Sequence, residues 1–270
     1  MKKKISLFQT VVITELIKLR RTVAFWLTIL YPAGAVLLAS LFLFSMRGHS
    51  NMSPVKAINN INDVTAFFLP FYVVLTISFL CQTEHRNTMF KHLISLPVPR
   101  SAYFFGKLAA SFILMAVSWF LIIALTYASM IILHLTNRNL MLFPGFDNGY
   151  LFTAITRTFL AGTAMVVIQY LISLRLRNVV APITIGTTLA ILPIAVLFIL
   201  GVTGLISNPD VLRWLPLYNP YTYPYSHVFS IMRGPSYELD LFPLPSLIYF
   251  LIAIGLSVAG AYEFKNRNFK

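Results

Sequence analysis

Six long apolar runs, separated by short polar stretches, set the pattern of the chain. They cover residues 23–45, 64–82, 108–135, 150–173, 179–207 and 243–262. A helix crosses the hydrocarbon core of a bilayer with about 20 mostly apolar residues, so each run can span. The third and fifth exceed that need and have room to tilt or break. The runs are continuous and do not alternate with a period of two, which predicts helices and not barrel strands. Ahead of them, residues 5–21 follow another rule. Leu7, Phe8, Val11, Val12, Leu16 and Leu19 recur at helical spacing, while Gln9, Glu15, Lys18 and Arg20 fall toward the other side. This predicts an amphipathic helix within residues 1–22, lying in the membrane interface with its cationic face among the headgroups. The charges at 15, 18, 20 and 21 oppose the other reading, that this stretch is only the start of the first span.

Composition agrees. The chain of 270 residues is 58% hydrophobic and 11% charged, against roughly 45–50% and 25% in soluble domains. The reading is an all-α integral membrane protein with six transmembrane helices, organised as one domain over 1–270. Charge then orients it, because Lys and Arg collect on the cytoplasmic side of short loops. One side holds Lys2, Lys3, Lys4, Lys18, Arg20, Arg21, then Arg86, Lys91, Arg100, Lys107, then Arg175, Arg177, and finally Lys265, Arg267 and Lys270. The other holds Arg47, Lys56, Arg138, Arg213 and Arg233 beside Asp63, Asp147, Asp210, Glu238 and Asp240. Both termini are therefore expected in the cytoplasm of a multi-pass protein of the cell membrane. The net charge of +13 lies next to spans, where anionic headgroups account for it, so a nucleic-acid partner is not expected.

Chemistry is sparse. The single cysteine, Cys81, allows no internal disulfide, and no metal site is expected. The external stretches 46–63 and 136–149 read as turn-rich loops. The external segment 208–242 differs, since Trp214, Tyr218 and Tyr221 stand in a run dense in aromatics and prolines. Two readings stay open for it: an aromatic belt at the interface, or short re-entrant helices forming an outer gate. Arg157 is the one ionisable group well inside a span, which makes it a pathway candidate unless its stem snorkels to the outer headgroups. No Asp, Glu or His lies deep in a run, so no proton relay is visible. There is no G-x-x-x-x-G-K-[ST] and no H-E-x-x-H, and no enzymatic activity is expected of this chain.

The remaining signal is the polar stretch Glu84-His85-Arg86-Asn87-Thr88-Met89-Phe90-Lys91-His92-Leu93-Ile94-Ser95-Leu96-Pro97-Val98-Pro99-Arg100, closing at Lys107. Phe90, Leu93, Ile94 and Leu96 supply an apolar side and Arg86, Lys91 and His92 a basic one, while Pro97 and Pro99 end the short helix. A rigid amphipathic helix between two spans passes any push on it to both.

This stretch resembles that of the permease subunits of type-2 ABC transporters, which carry a Glu after the second span, a basic or Asn-Thr stretch, a Leu-rich turn, Pro-x-Pro-Arg and a Lys entering the third span. Here those positions are Glu84, Asn87-Thr88, Leu93, Leu96-Pro97, Arg100 and Lys107. The version Glu-His-Arg-Asn-Thr-Met-Phe-Lys-His-Leu is most similar to the lantibiotic-immunity subgroup, although Asn87 stands where many members have Gly. The resemblance implies that two permeases, identical or sister copies, sit over cytoplasmic ATP-binding subunits that bind the ATP and Mg, and that this chain itself binds no cofactor. It also implies a coupling helix between spans two and three. Glu84, Arg86, Thr88, Leu93, Pro97, Arg100 and Lys107 become the expected coupling residues, assisted by Glu15 and Lys18 of the interfacial helix. Arg157, Trp214, Tyr218 and Tyr221 are the candidates for pathway and gate. The scarcity of charge in the spans suits an amphiphilic, peptide or lipid-like cargo. Two other classes stay open: an ion-coupled secondary transporter and a membrane scaffold that transports nothing.

Overall fold

The helices begin where the sequence offers partners for the exposed N–H groups of a first turn. The computed structural model describes residues 7–20, 22–45, 53–85, 99–136, 146–176, 178–203, 218–225 and 243–266. Within them, α1 covers Leu7–Leu19, α2 Val23–Ser45, α3 Pro54–His85 and α4 Arg100–Thr136. They are followed by α5 Asn148–Ala161, α6 Thr163–Arg175, α7 Val180–Thr203, a short 3-10 turn at Tyr223–Tyr225 and α8 Leu244–Asn266. Pro54 opens α3 at a position where its missing N–H costs nothing, and the Lys56 amide donates to the Ser53 hydroxyl. The Asp147 carboxylate accepts from the Gly149 amide at 2.8 Å ahead of α5, and the Asn178 side-chain oxygen accepts from the Val180 amide at 3.1 Å ahead of α7. Pro99 and Pro243 accept the first backbone bonds of α4 and α8.

Six helical segments are long and apolar enough to cross a membrane: α2, α3, α4, α5 with α6, α7 and α8. No strand occurs among the described residues. The span limits differ from the apolar runs in places that have a physical reason. α3 starts at Pro54, so 54–63, expected as loop, is helical. Asn59 and Asn62 are spared from turn formation by partners on α5, accepting from the Tyr150 hydroxyl at 2.7 Å and the Thr158 hydroxyl at 2.8 Å. Asp63 consequently belongs to a span-length helix. The fourth run is one span in two helices, broken at Gly162. A Cβ there would stand 3.1 Å from the Met115 methyl and 3.2 Å from a Leu69 methyl, so close packing against α4 and α3 keeps the position small.

α3 and the α5–α6 span are the most enclosed, with α2, α4, α7 and α8 around them. α2 packs along α3 and α4 through Ala24, Ala35 and Ala39, and stacks Tyr31 on Tyr72 with ring centroids 4.5 Å apart. The outward faces carry bare apolar side chains such as Leu30, Phe120, Phe198 and Leu251, as lipid contact requires.

Among the described residues, three spans carry an interior proline: Pro32 in α2, Pro70 in α3 and Pro193 in α7. Such a proline deprives the carbonyl four residues earlier of its donor, and in a bilayer no lipid tail replaces it. For Pro32 that carbonyl is Thr28, which accepts the Ser118 hydroxyl from α4 at 3.1 Å. For Pro193 it is Leu189, which accepts the Asn219 side-chain amide at 2.9 Å. Beside Pro70, the flanking carbonyls of Thr65 and Phe67 accept the hydroxyls of Tyr31 at 2.9 Å and Tyr225 at 2.8 Å. The kinks are thus points at which separate elements are tied together.

Candidate functional site

The residues that follow the polar stretch form the best-connected part of one end of the bundle. This basic end carries α1, the start of α4 and the last turns of α6 and α8. Arg100, the first residue of α4, donates to the Lys265 carbonyl at 3.1 Å, where the free carbonyls of a helix C-terminus attract a cation. Phe104 packs between Tyr170 and Phe264, with ring centroids at 5.1 and 5.9 Å. Its carbonyl also accepts the Tyr170 hydroxyl at 2.9 Å. Arg175 and Glu263 join the ends of α6 and α8 in a two-pronged pair. Both are more than half exposed, so the pair contributes about 0–1 kcal/mol at most.

The link to α1 is buried. Gly106 lets the two helices touch, for a Cβ there would stand 2.6 Å from a Val11 methyl and 3.3 Å from the Val11 Cβ. One turn of side chains away, Lys107 is 0% exposed and Glu15 4% exposed. Lys107 Nζ lies 3.7 Å from Glu15 Oε2 and 5.8 Å from the centre of the Tyr103 ring, while Lys18 Nζ donates to Glu15 Oε1 at 2.6 Å. Glu15, expected on the outward polar face of α1, turns inward because the buried Lys107 charge needs a counter-ion. Residues 100–107 are therefore bound to α1, α6 and α8 together. Gly106→Val is expected to lift α1 from α4 and destabilise by roughly 1–3 kcal/mol, read as a lower thermal midpoint of the detergent-purified chain, with Gly106→Ala showing a smaller loss.

A second constellation lies inside the bundle. Gln169 of α6 is fully buried and uses its whole amide. Its nitrogen donates to the Ser78 hydroxyl of α3 at 3.1 Å and to the Pro182 carbonyl of α7 at 3.0 Å. Its oxygen accepts the Tyr221 hydroxyl at 2.9 Å. Gly186 leaves room for it, since a Cβ there would meet Gln169 Oε1 at 2.5 Å. Tyr221 belongs to residues 218–225, in which 221–225 are all buried. Of the expected external segment this part runs into the bundle, because its hydroxyls and its Asn219 amide find acceptors there. Burial pushes the Tyr221 hydroxyl well up, so it stays a donor at physiological pH.

A family model described as ABC-2 family transporter protein matches residues 11–202. The chain belongs to the ABC-2 family of transporter proteins. It is accordingly a multi-pass membrane permease of an ABC transporter, a family whose members are the membrane subunits and work with separate ATP-binding subunits. No curated protein matches the chain.

In this ABC-2 permease the expected coupling residues are only partly placed. Glu84 lies in the last turn of α3, with its side chain outside the described residues, and Arg86, Thr88, Leu93 and Pro97 also lie outside them. Glu15, Lys18 and Lys107 come together, and Arg100 stands two turns before Lys107 against α8. Among the pathway candidates, Trp214 lies outside the described residues, and Tyr218 is 76% exposed. Arg157 is buried in α5 at 7% exposure, so its stem is enclosed by protein and not laid along the lipid face. It sits about 18 Å along the span from Gln169. Gly106, Phe104 and Gln169 were not singled out from sequence. For Gln169 a signal existed, a lone amide inside Met165–Ile172 in a run otherwise apolar or aromatic, but an uncharged side chain there does not announce a site.

Proposed function

We propose that this permease moves an amphiphilic, peptide or lipid-like substrate with energy from a cytoplasmic ATP-binding subunit that grips residues 84–100. The basic end then faces the cytoplasm with both termini. ATP and Mg are bound by the partner, and a second permease, identical or sister, completes the pathway. The likeness of residues 84–93 to lantibiotic-immunity permeases supports the peptide or lipid-like class of cargo. The observation that carries the reading is the binding of residues 100–107 to three elements directly after the gripped stretch. A push on the stretch reaches α1 through Glu15 and Lys107, α6 through Phe104 and Tyr170, and α8 through Arg100 and Phe264. These are packed and hydrogen-bonded contacts, which shift as a unit more readily than they deform.

The test is affinity purification of the tagged chain from its native membrane in mild detergent, with Glu84→Ala in parallel. A soluble ATPase is expected to come with the unaltered chain and to fall at least tenfold with the variant, which should insert and yield normally. An undiminished ATPase in the Glu84→Ala preparation would overturn the docking site. A chain that transports under an ion gradient without ATP would overturn the function.

A further inference from the structure

Residues 218–225 hold four elements together without being part of any span. Asn219 bonds the Leu189 carbonyl of α7 at 2.9 Å, and Tyr221 bonds Gln169 of α6 at 2.9 Å. Tyr225 bonds the Phe67 carbonyl of α3 at 2.8 Å, and the Tyr223 hydroxyl lies 2.7 Å from the Ser246 hydroxyl of α8. One of these acceptors exists because of a proline: Leu189 is the carbonyl freed by Pro193, while Phe67 lies next to the carbonyl freed by Pro70. α7 needs such a fastening. Along 180–192 only Pro182, Gly186 and Ala190, one narrow stripe, are buried, with Ile183 partly covered beside them, while Thr184, Ile185, Thr188 and Leu189 are exposed. Apart from that stripe, α7 is held by Gln169 on its Pro182 carbonyl and by Asn219 on its Leu189 carbonyl.

We propose that residues 218–225 are a releasable latch that fastens the proline-kinked α7 to α3 and α6 in the closed permease, and that Asn219, Tyr221 and Tyr225 are its positioning residues. This rests on the ATP-driven reading above. The bonds are single and neutral, the kind a conformational change can exchange, and tyrosines released from the bundle have a favourable site at the membrane interface. Gln169 is the receiving node. It holds Ser78, Pro182 and Tyr221 at once, so withdrawal of Tyr221 frees the oxygen end of the amide whose nitrogen holds α7. α7 can then swing on its narrow stripe while α3 and α6 stay packed.

The lone cysteine makes the test direct. In a Cys81→Ser background, Thr222→Cys places a reporter at a buried position of the latch, and its reaction with a polar maleimide is timed in the complex held in lipid nanodiscs. Tyr221→Phe and Asn219→Ser are each expected to speed labelling roughly five- to tenfold without nucleotide, as loss of one bond allows. ATP with vanadate is expected to speed it at least tenfold when the latch is unaltered. Labelling that stays within twofold in both latch variants would overturn the latch. Equal labelling with and without nucleotide, in a complex that hydrolyses ATP, would make the segment a fixed plug and overturn its release. A preparation with no ATP hydrolysis counts against the functional reading instead, and the nucleotide-free comparison still decides the latch.

Discussion

Glu15→Ala is expected to destabilise the permease by about 3–5 kcal/mol, because it removes the carboxylate that faces a fully buried cation. Lys107 is 0% exposed and sits at the contact between α1 and α4. Lys18 is a weaker contributor, since its side chain is 32% exposed and keeps solvent as an alternative partner. The size of the loss reflects a buried cation deprived of this carboxylate and not the net worth of the pair. The double variant Glu15→Leu/Lys107→Met, which removes both charges and keeps apolar volume, should therefore recover most of the lost stability. Thermal unfolding of the detergent-purified chains gives both numbers. A double variant no more stable than Glu15→Ala would mean that Lys107 is not what Glu15 neutralises. ATPase coupling in the stable double variant should nonetheless be impaired, because α1 would then follow α4 through apolar packing alone.

The second large effect is expected at Gln169→Leu. The side chains are similar in volume, so packing changes little, but the Tyr221 and Ser78 hydroxyls and the Pro182 carbonyl lose a partner together. Each buried polar group left unmade costs roughly 1–3 kcal/mol in a protein interior, and side-chain bonds within membranes average nearer 0.6 kcal/mol. The expected total is about 2–5 kcal/mol, against about 1 kcal/mol for Tyr221→Phe, which removes one bond. Equal losses for the two variants would show that Gln169 serves Tyr221 only and ties no helices together.

The six spans were legible because hydropathy over about 20 residues is a strong signal and the bilayer admits few alternatives. Span limits were less so. Asn59, Asn60 and Asn62 read as turn formers by local preference, and the α5 partners of Asn59 and Asn62 hold 54–63 helical, a tertiary effect that no local pattern carries. Arg100 and Lys107 were identified from the spacing of the polar stretch, and Glu15 and Lys18 from the helix before the first span. Their joining is not written in either pattern, because it depends on α1 folding back to α4. The apolar spacing of α1 placed Glu15 outward, and one buried cation reverses that assignment. The aromatic segment was legible as unusual, with an interfacial belt and a re-entrant gate both open, but its partners were not. Its acceptors are the Leu189 carbonyl freed by Pro193, the Phe67 carbonyl and the Gln169 side chain, and a proline in a sequence does not say which distant side chain will use the carbonyl it frees.

The bond between Glu15 and Lys107 also sets an order of assembly. The two residues stand about 90 positions apart, and chains grow at roughly 5–20 residues per second, so the carboxylate emerges from the ribosome some 5–18 s before its partner. During that interval α1 lacks its main contact, the one with α4, and the first two spans must enter the bilayer before it docks there. Completion of the base of α4 is then the event that draws α1 into place, which makes the docking of this helix a late step in biogenesis and a natural checkpoint between an inserted chain and a folded one.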